Sequence, residues 1–144
     1  MSHEAKSITE FDLEQYIQNS NDINILVTSS YYNETGMGTC RCLLLYKHHK
    51  KLIEGSFENV KSQNHAMVLG LIEAVKHINL HDVNVCIISG IYVGFKGAMK
   101  NKGLYAKEVN ELVDIVKGQG NIISSIAITD GVDVIKRIIK MNCK

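Results

Sequence analysis

At 144 residues with 45% hydrophobic and 22% charged side chains, the chain has the profile of a single soluble domain long enough to bury a core. Sixteen Lys and Arg against fifteen Asp and Glu leave a net charge of +1, so no bulk field dictates the partner and any basic patch has to be local. No apolar run reaches the roughly 18 residues of a membrane span, and Met1–Glu10 is polar with no signal h-region. The expectation is a cytoplasmic protein with no membrane partner, a nuclear or viral-factory location staying open.

In chain order, Ile8, Phe11, Leu13, Tyr16 and Ile17 have mostly helical spacing and predict a helix over 8–19, within an N-terminal extension, residues 1–22. Residues 23–29 are apolar, β-branched and too short for a buried helix, so they read as a strand that ends in a turn carrying Gly36 and Gly38. A second strand over 39–46, the polar turn 47–51 and a third strand over 52–60 complete an antiparallel meander. Ser62 can cap a helix whose stripe runs through Ala66, Val68, Leu69, Leu71, Ile72, Val75 and Ile78. Residues 83–89 form a continuous apolar run, which is what a strand covered on both faces looks like. A short helix within 90–101, a longer one over 105–117, a fifth strand over 121–128 and a last helix over 130–141 follow. With no repeat or linker between them, these elements predict one α/β domain over 1–144, a mixed five-stranded sheet flanked by helices.

Four cysteines, Cys40, Cys42, Cys86 and Cys143, show no CxxC pair and read as reduced, buried thiols. Cys40 and Cys42 share one face of a strand, but the scattered histidines supply no metal-ligand spacing around them. His48 and His49 lie in the turn 47–51, where a charged hairpin tip is expected to be solvated. No cofactor is expected.

The element order and three local motifs resemble the ribonuclease H fold of bacterial, cellular and retroviral ribonucleases H, over about residues 23–142. In that family the first strand ends in a T-D-G-S-like sequence before a Gly-rich turn; here Thr28-Ser29-Ser30 precedes Asn33-Glu34-Thr35-Gly36-Met37-Gly38. The family's first long helix opens with a T-N-N-x-A-E-L-like motif, matched by Ser62-Gln63-Asn64-His65-Ala66-Met67-Val68. Its buried fourth strand ends in T-D-S-x-Y-V, matched by Ile88-Ser89-Gly90-Ile91-Tyr92-Val93. A fourth carboxylate belongs at the start of the last helix, where Asp133 stands, or Asp130 if the register slips.

The resemblance implies a nuclease reaction on two divalent ions about 4 Å apart, held by carboxylates. Ser29, Met67 and Ser89 occupy three of the four acid positions, leaving Asp133 alone. Neutral hydroxyls and a soft thioether are poor substitutes for hard oxygen anions, so the expectation is a degenerate site with no bound metal and no nuclease activity. Glu73 cannot replace the acid at Met67, because six residues carry it about 240° around the helix. A rescue by Glu34 and Asp114 would need two unrelated movements.

The resemblance also implies nucleic-acid contacts. Lys96, Lys100, Lys102 and Lys107 gather between glycines where many family members carry a basic protrusion that grips the nucleic-acid backbone, and Asn64 matches an Asn that contacts the minor groove. The bland alternatives are a surface loop with solvated lysines and an Asn that only caps its helix. The expected function is therefore a non-catalytic binding module for nucleic acid, an RNA/DNA hybrid or duplex backbone, or for a protein partner. An active nuclease using non-standard acids and a structural, self-associating homodimer module are the alternatives.

Overall fold

The structure, a computed structural model, describes residues 6–8, 15, 17–89, 105–128 and 132–142; for 6–8, 124–128, 132–134 and 142 it describes the backbone alone. Its strands are β1 (Lys6–Ile8), β2 (Ile23–Tyr32), β3 (Met37–Tyr46), β4 (His49–Phe57), β5 (Asn84–Ser89) and β6 (Ile122–Ile128). Its helices are α1 (Gln63–Val75), α2 (Ala106–Gly118) and α3 (Val132–Asn142). The strands form one mixed sheet in the order β1-β6-β5-β2-β3-β4. β2, β3 and β4 are antiparallel neighbours, while β2, β5, β6 and β1 run parallel. No helix among the described residues is long and apolar enough to cross a membrane.

Alternation along the central strands divides the apolar side chains between two layers. On one face Ile23, Ile25, Val27, Cys40, Cys42, Leu44, Val85 and Ile87 pack under α1 and α2. On the other, Leu26, Leu43, Cys86 and Ile88 meet Ile135, Ile138 and Ile139 of α3, with Ile17 against them. β5 is thus covered on both sides, as its unbroken apolar sequence requires.

Local chemistry sets the helix ends. Ser62, in extended backbone, accepts a hydrogen bond from the His65 amide at 3.1 Å and so opens α1. α2 buries Val109, Leu112, Val113 and Val116, a helical stripe, with Glu108 in its first turn and Lys117 in its last, each on the favourable side of the helix dipole. Gly120 follows at φ 81°, a left-handed position suited to glycine at a helix end. Gln119 and Asn121 then stitch this end to the turn that follows α1. The Gln119 side-chain amide donates to Val75 O at 2.8 Å and Ile78 O at 3.3 Å, and that of Asn121 donates to Leu80 O at 2.9 Å. Asn121 Oδ1 accepts from the Val83 amide at 3.0 Å.

Two sequence expectations need correction. The N-terminal segment expected to be helical from residue 8 carries the edge strand β1, which pairs Lys6, Ser7 and Ile8 with Ile126, Ala127 and Ile128; Gln15 and residues 17–19 are helical. Three paired residues are too few to show alternation, whereas the spacing of the following apolar residues dominates the pattern. The third strand runs over His49–Phe57 rather than 52–60, because the hairpin turn is only Lys47-His48 and Tyr46 already pairs with His49. Lys47 at φ 55° makes this short reversal, and Asn59 at φ 57° turns the chain away at the strand's other end. The short helix expected within 90–101 lies outside the described residues.

Candidate functional site

The corner where α1 crosses the C-terminal ends of β2 and β5 holds three of the four positions singled out by the sequence. Ser29 and Ser89 project from the α1 face of the sheet, since Ser89 pairs with Val27, two residues before Ser29 on the same strand. Both are 5% exposed and Met67 is 1% exposed. The Ser89 hydroxyl donates to the Met67 sulfur at 3.2 Å. One turn earlier on α1, the Gln63 carbonyl accepts from the Ser29 hydroxyl at 2.9 Å, and the Gln63 side-chain amide donates back to Ser29 O at 2.8 Å. Asp133 is the second residue of α3, the helix that follows β6, whose C-terminal end lies at the same end of the sheet; its side chain lies outside the described residues, as does Asp130.

The donor set at this corner does not fit a pair of magnesium ions. Such ions take hard oxygen ligands and usually several waters. Here the Ser29 hydroxyl is committed to a backbone carbonyl and the Ser89 hydroxyl to a thioether, and both lie in packed surroundings. Glu34 and Asp114 are exposed, and Glu73 is exposed and pairs with Lys76 at 2.9 Å. Among the described residues no group of three or more His, Cys, Asp or Glu is arranged to hold a metal ion.

Beside this corner stands a polar clamp that periodicity could not reveal. The rings of His65 and Tyr105 stack at 4.9 Å with an interplanar angle of 5°, and the Tyr105 and Ser62 hydroxyls are hydrogen-bonded. The Lys61 amide donates to His65 Nδ1 at 3.1 Å, so the ring proton sits on Nε2, which faces Glu108 Oε2 at 3.8 Å. The clamp ties the start of α1 to the start of α2. The one local signal was the Ser62 cap; its partners are some forty residues away in sequence.

Of the expected nucleic-acid contacts, Asn64 is half-buried in the first turn of α1 and Lys107 is exposed in the first turn of α2. Lys96, Lys100 and Lys102 lie outside the described residues. Cys40 and Cys42 are buried with their sulfurs 3.7 Å apart; the hydrogen bond between them, together with burial, pushes the Cys42 thiol well above its ordinary pKa. A thiol held protonated in this way is a poor metal ligand and a poor nucleophile. No model of a known protein family matches the chain, and no curated protein matches it.

Proposed function

We propose that the chain is a ribonuclease H-like domain without nuclease activity that has kept the scaffold and works as a binding module, chiefly for the backbone of a nucleic acid. Two features of the fold support this reading. Three antiparallel strands continued by the parallel β5 and β6, with helices on both faces, agree with the resemblance, to which β1 adds a sixth strand at the edge, and Ser29, Met67 and Ser89 gather at one corner as its register requires. The observation that carries the reading is the hydrogen bond from Ser89 to Met67 inside a packed pocket, where the resemblance implies two acids facing metal ions. Losing three charged ligands together removes the charge that would hold the ions and stabilise a phosphoryl transition state. Binding of a phosphate backbone needs only cations, and Lys107 with Lys96, Lys100 and Lys102 supplies them. Four phosphate contacts give a slope of roughly −3 to −4 in log affinity against log salt.

The test mixes the protein with a labelled RNA/DNA hybrid, duplex DNA and single strands at low and high salt, with and without Mg²⁺ or Mn²⁺. Salt-sensitive binding without cleavage is expected. Cleavage overturns the reading, and the absence of both binding and cleavage overturns its nucleic-acid part and leaves a protein partner.

A further inference from the structure

The other end of the sheet carries a feature that the nuclease resemblance does not account for. Tyr46 lies six residues along β3 from Cys40, the partner of Ser29, which puts the β3–β4 hairpin tip about 20 Å from the Ser29 corner. Between this hairpin and the turn after α1 lies a cavity of about 450 Å³, within the size range of small-molecule sites. Its floor is apolar, with Ile23, Leu44, Ile78 and Leu80, and its rim carries Lys50, Lys51, His49 and His77. Among the described residues no carboxylate lines it. A second cavity, of about 490 Å³, flanks the same hairpin where Lys47 and His48 meet Ile17 and Met141.

Three properties separate the first cavity from an ordinary dimple. Its wall is built in advance: the carbonyls of Ile78 and Leu80 are held by the Gln119 and Asn121 side-chain amides. Its lysine is uncompensated: Arg41 and Lys76 have carboxylate partners at 3.2 Å and 2.9 Å, whereas Lys51, which pairs with Leu44 and so shares its face of the sheet, makes no ion pair among the described residues. Its mouth sits beside the edge strand β4, at a turn that keeps Lys47 at φ 55°, where a non-glycine residue is strained, with its ammonium 5.2 Å from the Tyr46 ring centroid.

We propose that this cavity binds a small amphipathic anion, a molecule with an apolar body and one terminal phosphate or carboxylate, the body lying on Ile23, Leu44, Ile78 and Leu80 and the charge held by Lys51, with His49 and His77 beside it on the rim. The apolar floor gives affinity for the body and the Lys51 ammonium fixes its orientation. A free inorganic anion would leave the floor wet, and a neutral apolar molecule would leave the lysine uncompensated.

The test is titration of the full chain with octyl phosphate, inorganic phosphate and octanol, followed by backbone amide NMR. Octyl phosphate is expected to give saturable shifts at Leu44, Lys51, Ile78 and Leu80, with inorganic phosphate and octanol each at least tenfold weaker. The variant Lys51→Gln, changed only at an exposed position, is expected to keep the native spectrum and weaken octyl phosphate binding at least tenfold, whereas Lys50→Gln, on the opposite face of β4, is expected to bind as the native chain does. The proposal is overturned by any of three results: no saturation at these amides, equal binding by the Lys51→Gln variant, or shifts confined to Ile17, Ile138 and Met141 in the second cavity. It is also overturned if a nucleic-acid strand, and not octyl phosphate, depends on Lys51.

Discussion

Ser29 and Lys51 belong to the same sheet, yet their polar atoms live under different rules. At the Ser29 corner each described polar group has a partner within the protein: Ser29 with Gln63, Ser89 with Met67, Ser62 with Tyr105 and His65 with Glu108. At the hairpin, Lys51 lies on the face of the sheet that carries a preformed apolar cavity, with no acid among the described residues of its lining. A site that does chemistry on phosphate needs charge held in readiness. At the corner where the resemblance puts that charge, Ser29, Met67 and Ser89 are neutral and buried, and a lysine without an ion pair among the described residues sits at the opposite end. The comparison teaches that a corner named by resemblance and a cavity formed by packing have to be judged by which of their polar groups already have partners.

The sharpest way to break this contrast is to charge the closed corner. Met67→Glu places a carboxylate where the native side chain is 1% exposed, and is expected to cost about 3–5 kcal/mol at neutral pH. Burial raises the folded-state pKa of that Glu above the unfolded value of about 4.3. The ionisation part of the loss is therefore small below about pH 4, where only the cost of burying a neutral carboxyl is left, grows as pH rises through the interval between the two values and levels off above the folded one. Urea unfolding at pH 4 and pH 7 measures it. Lys51→Glu at the open end, by contrast, is expected to stay within about 0.5 kcal/mol of the native chain.

A smaller effect tests how tightly α1 is pressed on the sheet at the closed end. A methyl group at Gly70 would overlap the Cys40 side chain, so Gly70→Ala is expected to lower stability by about 1–3 kcal/mol in thermal unfolding. Gly118, at the end of α2, has nothing within 4 Å of an added Cβ, and Gly118→Ala is expected to be neutral or slightly stabilising. The smallest effect concerns one hydroxyl. Ser29→Ala removes a single bond from the reciprocal pair with Gln63 and is expected to cost about 1 kcal/mol, with a double-mutant cycle against Gln63→Ala giving a coupling of the same sign.

Much of the scaffold could be read in advance because its signals are local. Apolar β-branched runs over 23–29 and 83–89 made strands, Ser62 capped α1, and the Val109, Leu112, Val113, Val116 stripe made α2. The misplaced start of β4 came from one backbone choice, since Lys47 in a left-handed conformation was not foreseeable from a residue that rarely adopts it. β1 was hidden because its pairing with β6 joins segments some 120 residues apart. The same distance rule explains the sites. Ser29, Met67 and Ser89 were named from motifs, whereas the Ser89–Met67 bond and the His65–Glu108 clamp depend on packing between elements. The basic turn 47–51 was visible and read as solvated; the cavities beside it exist only because the turn after α1 and the helix α3 come to rest against the hairpin.

The central claim, that the corner formed by Ser29, Met67 and Ser89 is no longer a metal site, is tested most directly by titrating the native protein with Mg²⁺ while following its backbone amides by NMR. No saturable shift at Ser29, Gln63, Met67 or Ser89 is the result expected up to millimolar Mg²⁺. A saturable shift at these amides would contradict the account.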